Sequence, residues 1–180
     1  MVPLIDFHQW LVQPPPSCTS LQKSWLTRPG ALTSGLKQLG RFSLQVVSED
    51  VELAPEEDIA FLGRGLLWRR EVLMFIDGQP CVIARSVTPL RASHSQWKGI
   101  RQLGCKPLAE ILYHDPGIYR SAFETARIGK GHKLHKSILR ANMRDFARYS
   151  PLARRSVFWR MSEPLMVSEC FLDPFWKMLD

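Results

Sequence analysis

The chain has 180 residues, 45% of them apolar and 23% charged, with a net charge of +7. That length gives one domain a real core and is short for two, and the composition is ordinary for a soluble globular protein. No apolar run approaches the roughly 20 residues needed to span a bilayer, and MVPLIDFHQWLV, with no basic start and with Asp6 inside it, does not read as a signal peptide. The four cysteines, Cys18, Cys81, Cys105 and Cys170, are scattered without metal-ligand spacing, which predicts reduced thiols in a cytoplasmic protein. Residues 129–160 hold nine Lys/Arg against Asp145 alone, a local charge of +8, so the rest of the chain sums to −1. The basicity belongs to one segment.

Residues 1–16 end in Pro14-Pro15-Pro16 and are expected to form a loosely docked arm. Ser20 to Thr27 reads as a helix broken by Pro29-Gly30, and Thr33 to Leu39 as a second, with Thr33 as N-cap and Gly40 as stop. Phe42, Leu44 and Val46 alternate as in a half-buried strand over Arg41 to Ser48. The acidic run that follows, SEDVELAPEED, is expected to be a solvated loop.

Leu67 to Ile76 and Cys81 to Thr88 read as two strands, and Asp77-Gly78 between them is a strong hairpin signal, because both central residues of a type I′ turn need positive φ. Alternation puts Trp68, Arg70, Val72, Met74 and Ile76 on one face, and Cys81, Ile83, Arg85 and Val87 on one face of the second strand. Counting outward from Ile76 opposite Gln79 places Arg70 opposite Arg85, a register that Pro80 can shift. Two like charges facing each other on an apolar surface are destabilising, and an anion between them would remove the conflict.

Ser93 caps a short predicted helix that stops at Gly104, and Pro107 starts another, PLAEILY, ended by Asp115-Pro116-Gly117. Such pairs form helix-turn-helix units, but neither second helix is basic, so no nucleic acid is expected as a partner. Tyr119 to Ile128 reads as one strand. Lys136, Arg140, Arg144 and Arg148 then recur every four residues along a predicted helix whose Leu139, Met143 and Phe146 can face the body. The stripe reads as a solvated face, with an anion, nucleic-acid or membrane-surface contact as the sharper alternatives. His132 and His135, at i and i+3 without a nearby acid, are expected to be solvated, and no metal is expected. The last strands are Arg155 to Met161 and Leu165 to Leu172. In the second, Glu169 shares an apolar face with Leu165, Val167 and Phe171, either in a salt bridge or in a polar pocket beside the arginines.

Short segments through most of the chain then carry a family resemblance. They are Trp25-Leu26, Ala31-Leu32-Thr33, REVLMFIDGQP (70–80), ARSVTP (84–89), LGCKPLAEILY (103–113), ARRS (153–156) and EPLMVSECFLDP (163–174). In order and combination they resemble the chorismate lyases, which convert chorismate to 4-hydroxybenzoate and pyruvate at the head of ubiquinone or plastoquinone synthesis. The resemblance implies a single α+β domain. Its architecture would be a roughly six-stranded antiparallel sheet with helices on one face and two helix-turn-helix flaps over a buried ligand. It implies no cofactor, and a monomer suffices for a site within one chain.

Carried over by position, Arg70 matches the family arginine that holds the ring carboxylate, and Glu169 the glutamate that meets the ring hydroxyl. Leu32, where the family often has methionine, and Leu108 match the contacts of the first and second flaps. Arg85 matches an interior-strand arginine, expected at the enolpyruvyl carboxylate or its exit route. Residues 129–152 look like an insertion, on which the resemblance is silent. A non-catalytic domain that binds small acids as effectors is the competing reading of the same fold, and turnover discriminates the two.

Overall fold

A computed structural model of the chain describes residues 10–146 and 150–180. Seven strands form one antiparallel sheet: β1 (Phe42–Leu53), β2 (Leu66–Ile76), β3 (Gln79–Pro89), β4 (Ile118–Arg120), β5 (Glu124–Arg127), β6 (Leu152–Arg160) and β7 (Glu163–Phe171). Their spatial order is β1-β2-β3-β7-β6-β4, with β5 also pairing β6. Six α-helices accompany the sheet among the described residues: α1 (Ser20–Leu26), α2 (Leu32–Leu36), α3 (Ile59–Leu62), α4 (Ala109–Leu112), α5 (Lys133–Arg140) and α6 (Asp173–Leu179).

The hairpin turn forms where the sequence places it, with Asp77 at φ 49° and Gly78 at φ 79°, and Ile76 pairs with Gln79. The register does not hold beyond it. Phe75 pairs with Pro80 but Met74 with Val82, so Cys81 is an extra residue without a partner. Proline has no N–H to give to the ladder, and a bulge beside it slips the strand by one. A slip of one residue exchanges faces. Arg70 therefore lies opposite Ser86, and Arg85 lies opposite Glu71.

Helices cover both faces of the sheet, not one. On the front, α1, α2 and α6 pack Trp25, Leu26, Leu32, Leu36 and Phe175 against Val72, Met74, Val82 and Phe171. Two 3-10 turns, Ala92–His94 and Lys98–Gln102, together with α4 bring Trp97, Ile100, Leu103, Leu108 and Leu112 onto Trp68, Phe158 and Leu165. On the back, α5 places Leu134 and Ile138 over Leu73, Ile83 and Cys170, while α3 sets Leu62 among Leu67, Val87, Val157 and Met166. An apolar sheet face must be covered, and on the back the basic segment supplies part of the cover.

Several boundaries differ from the sequence reading. Helix α1 opens on a capping box between Thr19 and Gln22, and α2 starts one residue before Thr33, with Ala31 as an N-cap that makes no side-chain bond. Strand β1 runs on through the acidic run to Leu53, past a bulge between Val46 and Ser48. The segment from Tyr119 to Ile128 is two short strands. Helix α5 stops at Arg140, with Asn142 at φ 57°, so Arg144 lies outside it and Arg148 lies outside the described residues. Leu139 is exposed; Leu134 and Ile138 face the body instead. Of the expected arm, residues 1–9 lie outside the described residues, while Leu11 bridges to Thr125 and Trp10 packs edge-on to His132. His132 is buried, not solvated, and its Nδ1 caps α5 by accepting from the Leu134 N–H.

Candidate active site

Four of the five residues singled out from the sequence line one cavity on the front of the sheet: Leu32, Arg70, Leu108 and Glu169. The cavity encloses about 550 Å³ of empty space, including the part open to solvent, within the range of small-molecule sites. Alternation along paired strands builds its floor. Arg70, Val72 and Met74 of β2 stand beside Ala84 and Ser86 of β3, Val167 and Glu169 of β7, and Arg154, Ser156 and Phe158 of β6. The chain between α1 and α2 covers one side through Gly30 to Thr33, and α4 with its flanks covers another through Leu108 and Tyr113.

Arg70 is 2% exposed. Its Nη2 donates to the carbonyls of Gly104 at 2.7 Å and Lys106 at 3.1 Å, and its Nε lies 3.3 Å from Glu49 Oε1. The last contact is an ion pair. Burial pulls this guanidinium below its ordinary pKa, and Glu49 acts against that. Arginine nonetheless stays charged at neutral pH. An almost fully buried cation that faces one half-exposed carboxylate suits a second anion.

Glu169 accepts from Arg154 Nε at 2.6 Å. Arg154 Nη1 in turn donates to the carbonyls of Trp25 at 3.2 Å and Arg28 at 2.9 Å, which ties the chain after α1 to the cavity wall. The salt bridge expected for Glu169 therefore exists, but its partner is neither Arg70 nor Arg85. Phe123 lies against both cavity arginines on that side, 4.2 Å from the Arg154 guanidinium and 3.9 Å from that of Arg120. Tyr113, whose pKa is raised by burial, has Arg120, Glu169 and Arg154 as its charged neighbours.

Arg85 is the correction. The bulge at Cys81 turns it to the back, where it pairs with Glu52 and, at 3.5 Å, with Asp58. There it belongs to a buried ionic network. Arg69 meets Glu52 at 3.0 Å and Glu71 at 2.7 Å, Arg155 meets Glu124 at 2.7 Å, and Arg140 grips Glu71 through Nε and Nη2. The acids of the supposed solvated loop are partners of these arginines. Arg140, read as part of a solvated or anion-binding stripe, is already committed to Glu71.

The sequence reading missed Arg154 because it began the strand at Arg155, three residues after β6 starts at Leu152. The signal was present: in Arg154-Arg155 consecutive side chains must point to opposite faces. Among the described residues no three His, Cys, Asp or Glu side chains gather as metal ligands. No helix among them is long and apolar enough to cross a membrane.

The sequence profile of the chorismate lyases matches residues 9–179. This chain belongs to the chorismate lyase family. A probable chorismate pyruvate-lyase of Bordetella pertussis is 46% identical over 94% of this chain and 90% of its own length. Probable chorismate pyruvate-lyases of Bordetella avium and Burkholderia pseudomallei are 47% and 42% identical over 93% of this chain, covering 85% and 91% of their own lengths. Among solved structures, the effector domain of PhnF from Mycobacterium smegmatis superimposes with a TM-score of 0.54 at 15% identity, over 81% of this chain and 90% of that one. That likeness concerns the fold alone. The matched span includes all three arginines that line the cavity, Arg70, Arg120 and Arg154, together with Glu169.

Proposed function

We propose that this protein is a chorismate pyruvate-lyase, releasing 4-hydroxybenzoate and pyruvate, with Arg70 and Glu169 as the residues that hold the reacting ring. The observation that carries the reading is that a member of this family brings a buried arginine and a carboxylate onto one wall of a largely apolar cavity. Arg70 grips the ring carboxylate, as an arginine can do bidentately. Glu169, fixed by Arg154, accepts from the ring hydroxyl. Helices α2 and α4 lack side-chain caps at their N-termini, so first-turn N–H groups beside Leu32 and Leu108 are open to ligand oxygens.

The elimination gains aromaticity, so the protein mainly sets geometry. The C4–H electrons become the new ring double bond, and the ether C–O electrons become the pyruvate carbonyl. The hydrogen reaches the enolpyruvyl methylene either directly or through Glu169 as base. Holding the substrate in the reactive arrangement contributes on the order of 7–11 kcal/mol in favourable cases. The segments around α1–α2 and α4 serve as flaps that exclude water and so strengthen the contacts of the arginine and the glutamate. No cofactor enters, one chain suffices, and the product, released in the cytoplasm, is the ring precursor of a quinone.

Purified protein mixed with chorismate and followed by ultraviolet absorbance should produce 4-hydroxybenzoate. Binding of chorismate without turnover would support an effector-binding domain and overturn the lyase.

A further inference from the structure

With Arg85 on the back of the sheet, the proposed substrate has a second carboxylate and no assigned partner. Arg154 already has a carboxylate partner, since its Nε holds Glu169, and its Nη1 holds two backbone carbonyls. Arg120 lines the same cavity and is in a different state. Its Nη1 is buried without a hydrogen-bond partner, and no carboxylate pairs with it among the described residues. Its guanidinium rests on the Phe123 ring at 3.9 Å and has the Tyr113 hydroxyl as its neutral polar partner, which leaves the charge without a counter-ion among the described residues. A buried guanidinium nitrogen without an acceptor is costly, and the cost disappears when an anion enters.

The sheet also places Arg120 at a suitable reach from Arg70. Arg70 stands level with Ser86, Val167 and Ser156 across three strand pairings, and Arg120 pairs with Phe158, two residues along β6 from Ser156. Four strand spacings put their backbones about 19 Å apart, and both side chains extend into the cavity between them. A ring with one carboxylate attached directly and another on a side chain can bridge that gap.

We propose that Arg120, backed by Phe123, binds the enolpyruvyl carboxylate of the substrate and keeps hold of it as it becomes the carboxylate of pyruvate. This rests on the lyase reading and adds a residue to it. It separates the two anions, with Arg70 serving the part that becomes the aromatic acid and Arg120 the part that leaves.

The test compares wild type with Arg120→Ala and Arg120→Lys, using kcat/KM for chorismate and Kd for 4-hydroxybenzoate, which lacks the enolpyruvyl group. The alanine variant should lose at least 100-fold in kcat/KM while binding 4-hydroxybenzoate within about threefold of wild type, and that retained binding also reports a folded site. Lysine should recover part of the rate by restoring a point charge. Turnover within twofold of wild type in the alanine variant overturns the role of Arg120 and leaves the lyase reading intact. An equal loss of 4-hydroxybenzoate affinity also overturns it, since that assigns Arg120 to the ring or to the fold. A wild-type protein that does not turn over chorismate overturns both.

Discussion

Arg70 carries two tasks with one guanidinium: Nη2 holds the chain at Gly104 and Lys106, and the group faces the cavity. Arg70→Ala should therefore abolish measurable turnover and weaken 4-hydroxybenzoate binding together. Truncating one side of a buried charge-assisted contact costs roughly 2–5 kcal/mol, which titration calorimetry with the product would register. Glu169→Gln is a milder change, because the amide still fits beside Arg154. Its Kd for product should stay near that of wild type while kcat falls, and a fall beyond about 100-fold identifies the carboxylate as a general base. On the back of the sheet Glu71 is fully buried. Burial alone would raise its carboxyl, but hydrogen bonds from Arg140 and Ser137, the charge of Arg69 and a bond from Ser48 together hold it below its ordinary value of 4.5. A depressed carboxyl contributes stability above its unfolded value and loses it as pH falls through the folded one. Glu71→Gln should thus cost on the order of 3–5 kcal/mol near pH 7, the range for breaking a buried ion pair. In urea denaturation the gap to wild type should narrow steadily below pH 4.5. Asp58, raised by burial against the pull of Arg85 and Arg155, changes in the opposite sense and is common to both proteins. A gap that stays constant with pH would show that the Glu71 charge is not what stabilises the network.

At the scale of the elements, the β2–β3 hairpin shows what a sequence can and cannot carry. Its turn was legible because Asp77-Gly78 encodes a backbone conformation locally. Gly78 is the cleanest test of that. A Cβ there would meet nothing within 4 Å, but φ of 79° is left-handed. Gly78→Ala should therefore cost about 1–2 kcal/mol of stability, seen as a lower denaturation midpoint. Kinetic constants should not change, since six residues of strand, about 20 Å, separate the turn from Arg70. The register was not legible, because a bulge at Cys81 depends on what Pro80 cannot donate and on which face the rest of the sheet buries. Alternation grouped Ile83, Arg85 and Val87 correctly and then assigned them to the wrong side. For Arg70 and Glu169, parity within single strands sufficed, so their shared cavity could be read from pattern and resemblance. The second half of β1 was misread for a related reason. Glu49, Asp50 and Glu52 look solvated in isolation, and only pairing across to Arg69, Arg70 and Arg85 explains a strand there. Basic α5 reverses the error: its stripe reads as free charge until Arg140 is found bound to Glu71.

At the scale of the whole molecule, one sheet serves two functions on its two faces. The back is closed by paired charges and apolar packing, and the front keeps its charges beside a cavity. The same front-face arginines fasten the covers: Arg154 holds the carbonyls of Trp25 and Arg28, and Arg70 those of Gly104 and Lys106. Opening either cover breaks charge-assisted hydrogen bonds, worth about 1.5–3 kcal/mol each. The reaction itself is driven by aromatisation. Its product, 4-hydroxybenzoate, keeps the carboxylate and hydroxyl assigned to Arg70 and Glu169 in the proposed mechanism, and loses only the part assigned to Arg120. A site fitted to the aromatising state also fits that product, so release rather than chemistry should limit turnover. Rapid-quench measurements with excess chorismate should then show a burst close to one 4-hydroxybenzoate per chain, followed by a slower steady rate that added 4-hydroxybenzoate lowers competitively. Pyruvate, lacking the ring contacts, should inhibit far more weakly. Product that accumulates linearly from the first turnover would place the limiting step in the bond-breaking itself, and the covers would then serve to exclude water without retaining the product.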